Sequence, residues 1–306
     1  MNLLKLIKNN YINNKINEYP DVITEIVRTS LINTSPIQAN KASDIKFYSN
    51  YFNGNTSQGT MPPPGEHKFL SVFEESRSNP NYKDFTYFIN DCGFRDQLPD
   101  ENSDNIFGFF GCSFTFGEGL DSKDNFPHLI SQHYNKKCLN LGQTGTGASR
   151  IALTFAAAAN IWNIETAIVT LPNWARFHYV DVDCSMKSLH LPYEIDNIEC
   201  NTIREFMVEH FSDQYMLAAT KDAINYIITV AKLKNIKLIL TSWDPDVAKI
   251  IQSVSNYEAP IFSMIESNPP SDDDKARDYI HPGITLVNRQ VTSLIQIIDR
   301  SYYVNE

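Results

Sequence analysis

The chain has 306 residues, of which 42% are hydrophobic and 20% charged; that is an ordinary globular composition, with length for one domain of about 200 residues plus an appendage. Its formal net charge of -10 argues against nucleic acid or anionic membrane as the main partner, because both are held by basic patches. No apolar run reaches the roughly 18 residues of a membrane span.

Residues 1–45 are rich in Asn, Lys and Ile, with helical periodicity around Val22, Ile23, Ile26 and Val27, and predict one or two short helices. From Ser49 to His67 the composition turns to Asn, Gly, Ser, Thr and Pro and ends in Met61-Pro62-Pro63-Pro64-Gly65, which predicts a linker. The alternating Phe85, Tyr87 and Ile89 predict an edge strand or hairpin over 82–96. Residues 1–100 therefore read as an N-terminal extension and 101–306 as the main domain.

Beyond residue 100 strands and helices alternate. Strands are predicted at 106–110, 138–141, 167–171, 236–242 and 261–264; helices at 126–134, 148–160, 213–234, 244–255 and 284–300. The stretch 162–200, apart from its strand, lacks periodicity and reads as a lid or insertion. Such alternation implies a parallel sheet with helices on both faces, whose ligands bind beyond the carboxyl ends of the strands.

The start, Met1–Asn10, has too short an apolar stretch for a signal peptide and lacks a small-residue cleavage site. Five scattered cysteines with no C-x-x-C pair fit a reducing compartment. A cytoplasmic location is expected, or a virion-associated one if the source is viral.

Polar motifs fall at the strand ends. Gly111-Cys112-Ser113 follows the first core strand, Asn140-Leu141-Gly142-Gln143-Thr144-Gly145 the second, and Leu171-Pro172-Asn173 the third; Asp278-Tyr279-Ile280-His281-Pro282 precedes the last helix. Acyl transfer needs a nucleophile, a base, a group that orients the base and donors for the oxyanion. Ser113 supplies the hydroxyl, His281 can take its proton, and Asp278 can hold the other ring nitrogen. The backbone N–H groups of Ser113 and Gly145 and the side-chain amide of Asn173 are candidate oxyanion donors, with Gly142 an alternative to Gly145. Trp174 and Arg176, directly after Asn173, are candidate substrate contacts.

Other chemistries fit less well. Gly142-x-x-x-x-Gly147-Ala148-Ser149 approaches a P-loop, but Ala148 stands where the lysine belongs. Thr115 breaks a G-x-S-x-G elbow. His128 and His133 are five apart and no H-E-x-x-H occurs, so no metal site is expected. Cys112 is a rival nucleophile.

Taken together the four segments resemble the SGNH (GDSL-like) hydrolase superfamily of serine esterases and lipases, over roughly residues 104–300. Gly117-x-Gly119, the run Asn125-Phe126-Pro127-x-Leu129 and the lead-in Phe88-Ile89-Asn90-x-x-Gly93-Phe94-Arg95-Asp96 add to the resemblance. It implies a three-layer α/β/α sandwich with a central parallel sheet, flavodoxin-like in kind. It implies Ser113 as nucleophile, Gly145 and Asn173 as oxyanion residues, and Asp278 with His281 as the remaining pair. No cofactor is expected. The chain departs from the family at Cys112, where an Asp is usual, and at Pro172-Asn173-Trp174 in place of Gly-Asn-Asp. These departures keep the family's substrate class from carrying over, and the expected substrate is a small-molecule or glycan ester, for example an O-acetyl group. A binding or structural protein that keeps the fold without turnover is the alternative.

Overall fold

The computed structural model describes residues 41–48, 65–68, 86–180, 186–190, 212–254, 261–264, 281 and 283–303. Its centre is a five-stranded, wholly parallel sheet. The strands are β3 (Ile106–Gly111), β4 (Lys137–Asn140), β5 (Ile164–Leu171), β8 (Lys237–Ser242) and β9 (Ile261–Met264), in the spatial order β4-β3-β5-β8-β9. Two antiparallel hairpins lie outside it. One pairs β1 (Gly65–Lys68) with β2 (Thr86–Ile89), and the other pairs β6 (Arg176–Val180) with β7 (Met186–His190).

Alternation along the strands sorts side chains between two cores. Ile106 and Phe110 of β3, Ala167, Val169 and Leu171 of β5, and Leu238 and Leu240 of β8 point to one face. There they meet α3 (Ala148–Ile161), α4 (Asp213–Lys234) and α5 (Pro245–Val254). Phe107, Phe109, Ile168 and Ile239 point to the other face, against Phe126 and Ile130 of α2 (Phe126–His133) and Val287, Leu294 and Ile298 of α6 (Ile284–Tyr303). A strand buried on both faces reads as a continuous apolar run, as β3 does. The architecture is thus the three-layer α/β/α sandwich expected from the sequence.

Local chemistry sets the helix ends. The Asn125 side chain accepts from His128 N at the start of α2 and the Ser212 side chain accepts from Tyr215 N at the start of α4. Helix α4 closes at Asn235 in the left-handed conformation, φ 53°.

Residues before 101 also enter the core. Ile45, in a 3-10 helix over Ala42–Tyr48, and Phe94 are fully buried in the α3/α4/α5 cluster. Two expectations change here. Gly65, Glu66 and His67, read as the end of a linker, form strand β1; their partners in β2 lie some twenty residues on, so no local pattern marks the pairing. The 162–200 stretch opens with the long core strand β5 and contains the β6–β7 hairpin. The helices expected within residues 1–40 lie outside the described residues. Among the described residues no helix is long and apolar enough to cross a membrane.

Candidate active site

The chain leaves β3 toward β4 on one side and returns to β5 on the other, so the strand order reverses between β3 and β5. In an open parallel sheet the crevice beyond the carboxyl ends at that point takes ligands. Ser113 follows β3 at that point and Asn173 follows β5.

Ser113 begins the four-residue helix α1 (Ser113–Phe116). The turn into it is tight: a Cβ on Gly111 would lie 2.7 Å from Thr170 O, inside van der Waals contact. Cys112 is the N-cap in extended conformation and gives no side-chain cap. The far end of α1 is gripped by Arg95, which is 1% exposed. Its Nη1 donates to Phe116 O (2.9 Å) and Gly117 O (2.5 Å), its Nη2 donates to Leu120 O (2.6 Å), and the guanidinium lies 5.3 Å over the Phe116 ring.

His281 Nε2 lies 2.7 Å from Ser113 Oγ, although the two residues are 168 positions apart. Both side chains are buried. With the ring proton on Nδ1, Nε2 accepts the hydroxyl hydrogen. Glu118 brings Oε2 to 3.8 Å from the same nitrogen. Cys112 is fully buried, and the imidazole meets the Ser113 hydroxyl. Asp278 lies outside the described residues.

The loop after β4 is zipped to β3 by Leu141 N donating to Phe109 O and Gln143 N donating to Gly111 O, both at 2.9 Å. Gly142 sits against the turn that follows Ser113, where a Cβ would lie 2.6 Å from the Thr115 carbonyl carbon. The two glycines differ in what their N–H groups do. Gly142 N donates to Asn140 Oδ1 (3.0 Å), whereas Gly145, at φ 68°, makes no N–H hydrogen bond among the described residues.

Asn173 is held on two sides. Its Oδ1 accepts from Ala175 N (2.8 Å), and its Nδ2 donates to Asp244 Oδ2 (2.6 Å) at the end of β8. Trp174 packs against the α3/α4/α5 core. The aromatic group beside the Ser–His pair is instead Phe114, edge-on to His281 (5.5 Å) and stacked on Trp243 (5.4 Å, 16° between planes). The Arg176 guanidinium lies 5.9 Å over Trp243.

The sequence reading missed Glu118, Asp244 and Trp243. Asp244-Pro245 reads as a helix start, and that reading hides any second role for the carboxylate. Glu118 and Trp243 carry no spacing signal that could have found them. Among the described residues no group of His, Cys, Asp and Glu is arranged to hold a metal.

No protein-family model and no curated protein sequence matches the chain. Among solved structures it is similar to an acetyl xylan esterase from the rumen bacterium Butyrivibrio proteoclasticus, with 13% identity, a TM-score of 0.44, and coverage of 69% of this chain and 67% of that one. It is similar to the psychrotrophic esterase EstA from Pseudoalteromonas sp., with 10% identity, a TM-score of 0.43, and coverage of 66% and 100%. A GDSL-like lipase from Bacteroides thetaiotaomicron is a third, with 13% identity, a TM-score of 0.42, and coverage of 67% and 93%.

Proposed function

We propose that the chain is a serine hydrolase that cleaves a carboxylic ester through an acyl-serine intermediate. The observation that carries this reading is the 2.7 Å contact between Ser113 Oγ and His281 Nε2, both buried at the carboxyl end of the sheet. A hydroxyl is a weak nucleophile unless a base accepts its proton as the new bond forms.

In the proposed reaction Ser113 Oγ attacks the ester carbonyl carbon and its proton passes to His281 Nε2. The carbonyl oxygen becomes an oxyanion, facing the N–H groups of Ser113 and Gly145 and the remaining hydrogen of Asn173 Nδ2. Collapse of the tetrahedral species breaks the bond to the alcohol, which leaves with the proton from His281. Water then attacks the acyl-serine, again giving a proton to His281, and the acid departs as the Ser113 oxygen is reprotonated. Asp278 is assigned to the Nδ1 side of the imidazole, where a carboxylate would fix the tautomer and stabilise the imidazolium.

For the substrate we propose a small acyl group, such as acetyl, on an alcohol that lies against Phe114 and Trp243, with Arg176 beside them. An aromatic face with a guanidinium next to it suits a polar, ring-shaped alcohol such as a sugar.

A fluorophosphonate probe tests the reading, because it reacts with an activated serine whatever the natural substrate. Wild type is expected to be labelled and to hydrolyse short-chain esters, O-acetylated glycans among them. Labelling is expected to vanish in Ser113→Ala and His281→Ala and to survive in Cys112→Ala. An unlabelled wild type with no activity on the ester panel would overturn the enzyme reading in favour of a protein that keeps the fold without turnover. Loss of labelling in a folded Cys112→Ala would move the nucleophile to Cys112.

A further inference from the structure

We infer that Asp244 is a positioning residue that fixes the Asn173 amide for oxyanion binding; this rests on the hydrolase reading above.

The orientation of the amide follows from its partners. A carboxylate can only accept and a backbone N–H can only donate. The end of Asn173 that faces Asp244 Oδ2 at 2.6 Å must therefore be the NH₂ group, and the end that faces Ala175 N at 2.8 Å must be the oxygen. One Nδ2 hydrogen is then left, in a direction set by the amide plane. With Asp244 absent, the amide could turn about its last torsion, which is broad and roughly two-fold, and could present oxygen where a donor is needed.

Asp244 is suited to this because it does not move freely itself. It is 6% exposed. Its Oδ1 accepts from Asp246 N and Val247 N at 3.0 Å each, the N-cap of α5. Its own N–H donates to Ser242 Oγ (3.0 Å), and that hydroxyl donates to Leu171 O (3.0 Å), the residue that ends β5. The strand that carries Asn173 and the strand that carries Asp244 are thus tied together at their carboxyl ends. Helix capping uses Oδ1 alone; Oδ2 is surplus to it and goes to Asn173. A charge-assisted bond of this length is among the stronger ones a side-chain amide makes. Donors that are already in place when charge develops need no reorganisation in the transition state.

The test separates capping from positioning with two substitutions. Asp244→Ser keeps an N-cap oxygen but cannot reach Asn173. Asp244→Asn keeps shape and cap, yet sets an NH₂ group against the Asn173 NH₂ group and so favours the turned amide. Both are expected to lower kcat on a short-chain ester by about tenfold to a hundredfold, the scale of a misplaced catalytic group, with KM within about twofold. In an Asn173→Ala background neither should lower kcat further, because the amide they act through is gone. If one variant fails to fold, the other carries the same comparison.

Full kcat in a folded Asp244→Asn or Asp244→Ser would overturn the inference, as would an equal loss in the Asn173→Ala background. Either result would leave the hydrolase reading standing. A wild type that neither hydrolyses esters nor labels would overturn both.

Discussion

The two ends of the parallel sheet are both rich in polar side chains, and they hold them in opposite states. At the amino end, residues 98–105 and Lys137 line a broad cleft. Its charged groups Asp100, Glu101 and Asp104 are exposed. The bonds these carboxylates make, such as Asn163 Nδ2 donating to Asp104 Oδ1 at 3.2 Å, are exposed, although Lys137 Nζ reaches the buried Ser103 Oγ at 2.8 Å. At the carboxyl end, Ser113, His281 and Asp244 are each less than a tenth exposed, and every one has a protein partner within 3.0 Å. An exposed charge pair is worth little, because water competes for both partners. A buried polar group must be matched or it costs stability, so its partners are specified and its position is held. The proposed site therefore lies where the polar groups are buried and paired, at the carboxyl ends of the strands.

Three substitutions probe that contrast. The largest effect is expected at Asn173→Ala, which removes one proposed oxyanion donor. Here kcat on a short ester should fall by about a hundredfold to a thousandfold, measured at saturating substrate, and a loss below about fivefold would detach Asn173 from the chemistry. A smaller effect is expected at Glu118→Gln. Glu118 Oε2 lies 3.8 Å from His281 Nε2, where a negative charge attracts the imidazolium that forms as the proposed base takes its proton. The neutral amide removes that charge, and kcat on a short ester should fall by less than about tenfold. A larger loss would place Glu118 among the groups the reaction depends on. The smallest effect is expected at Asp104→Asn, at the other end. Stability in urea should change by less than about 0.5 kcal/mol and turnover not at all; a larger change in either would blur the distinction between the ends.

Much of the sheet domain was legible in the sequence because its signals are local. The bounds of α4 follow from Ser212 before the apolar periodicity and Asn235 after it. The apolar run before Gly111 has the length of a strand buried on both faces and is too short for a core helix, and it forms that strand. Ser113 and His281 were singled out because four polar segments occur together in order at element ends, and their 2.7 Å contact across 168 residues is visible only in the fold. The missing parts depend on contacts far apart in sequence. Strand β1 is defined by its register with β2, and its own residues, Gly-Glu-His-Lys, favour no strand. Trp243 acquires a role by stacking on Phe114, which belongs to a distant part of the chain. Asp244 opens the helix expected over 244–255, and nothing local to it marks the bond its second oxygen makes to Asn173.

Arg95 bears on where this protein can be cut. The turn after Ser113 makes backbone bonds of its own, and the carbonyls of Phe116, Gly117 and Leu120 beyond it also accept from a guanidinium that precedes the sheet in the chain. A fragment that starts at residue 101 would contain every strand of the parallel sheet together with Ser113 and His281, and would still lack the group that grips the far end of α1. Gly117 O would keep its bond from Leu120 N at 3.2 Å, while Phe116 O and Leu120 O would lose the guanidinium and have to find water or rearrange. A shortened chain for expression, or a graft of the site into another protein, should therefore begin upstream of Asn90, whose Nδ2 in turn bonds Asp96 O at 2.7 Å and shapes the bend that carries Arg95 inward.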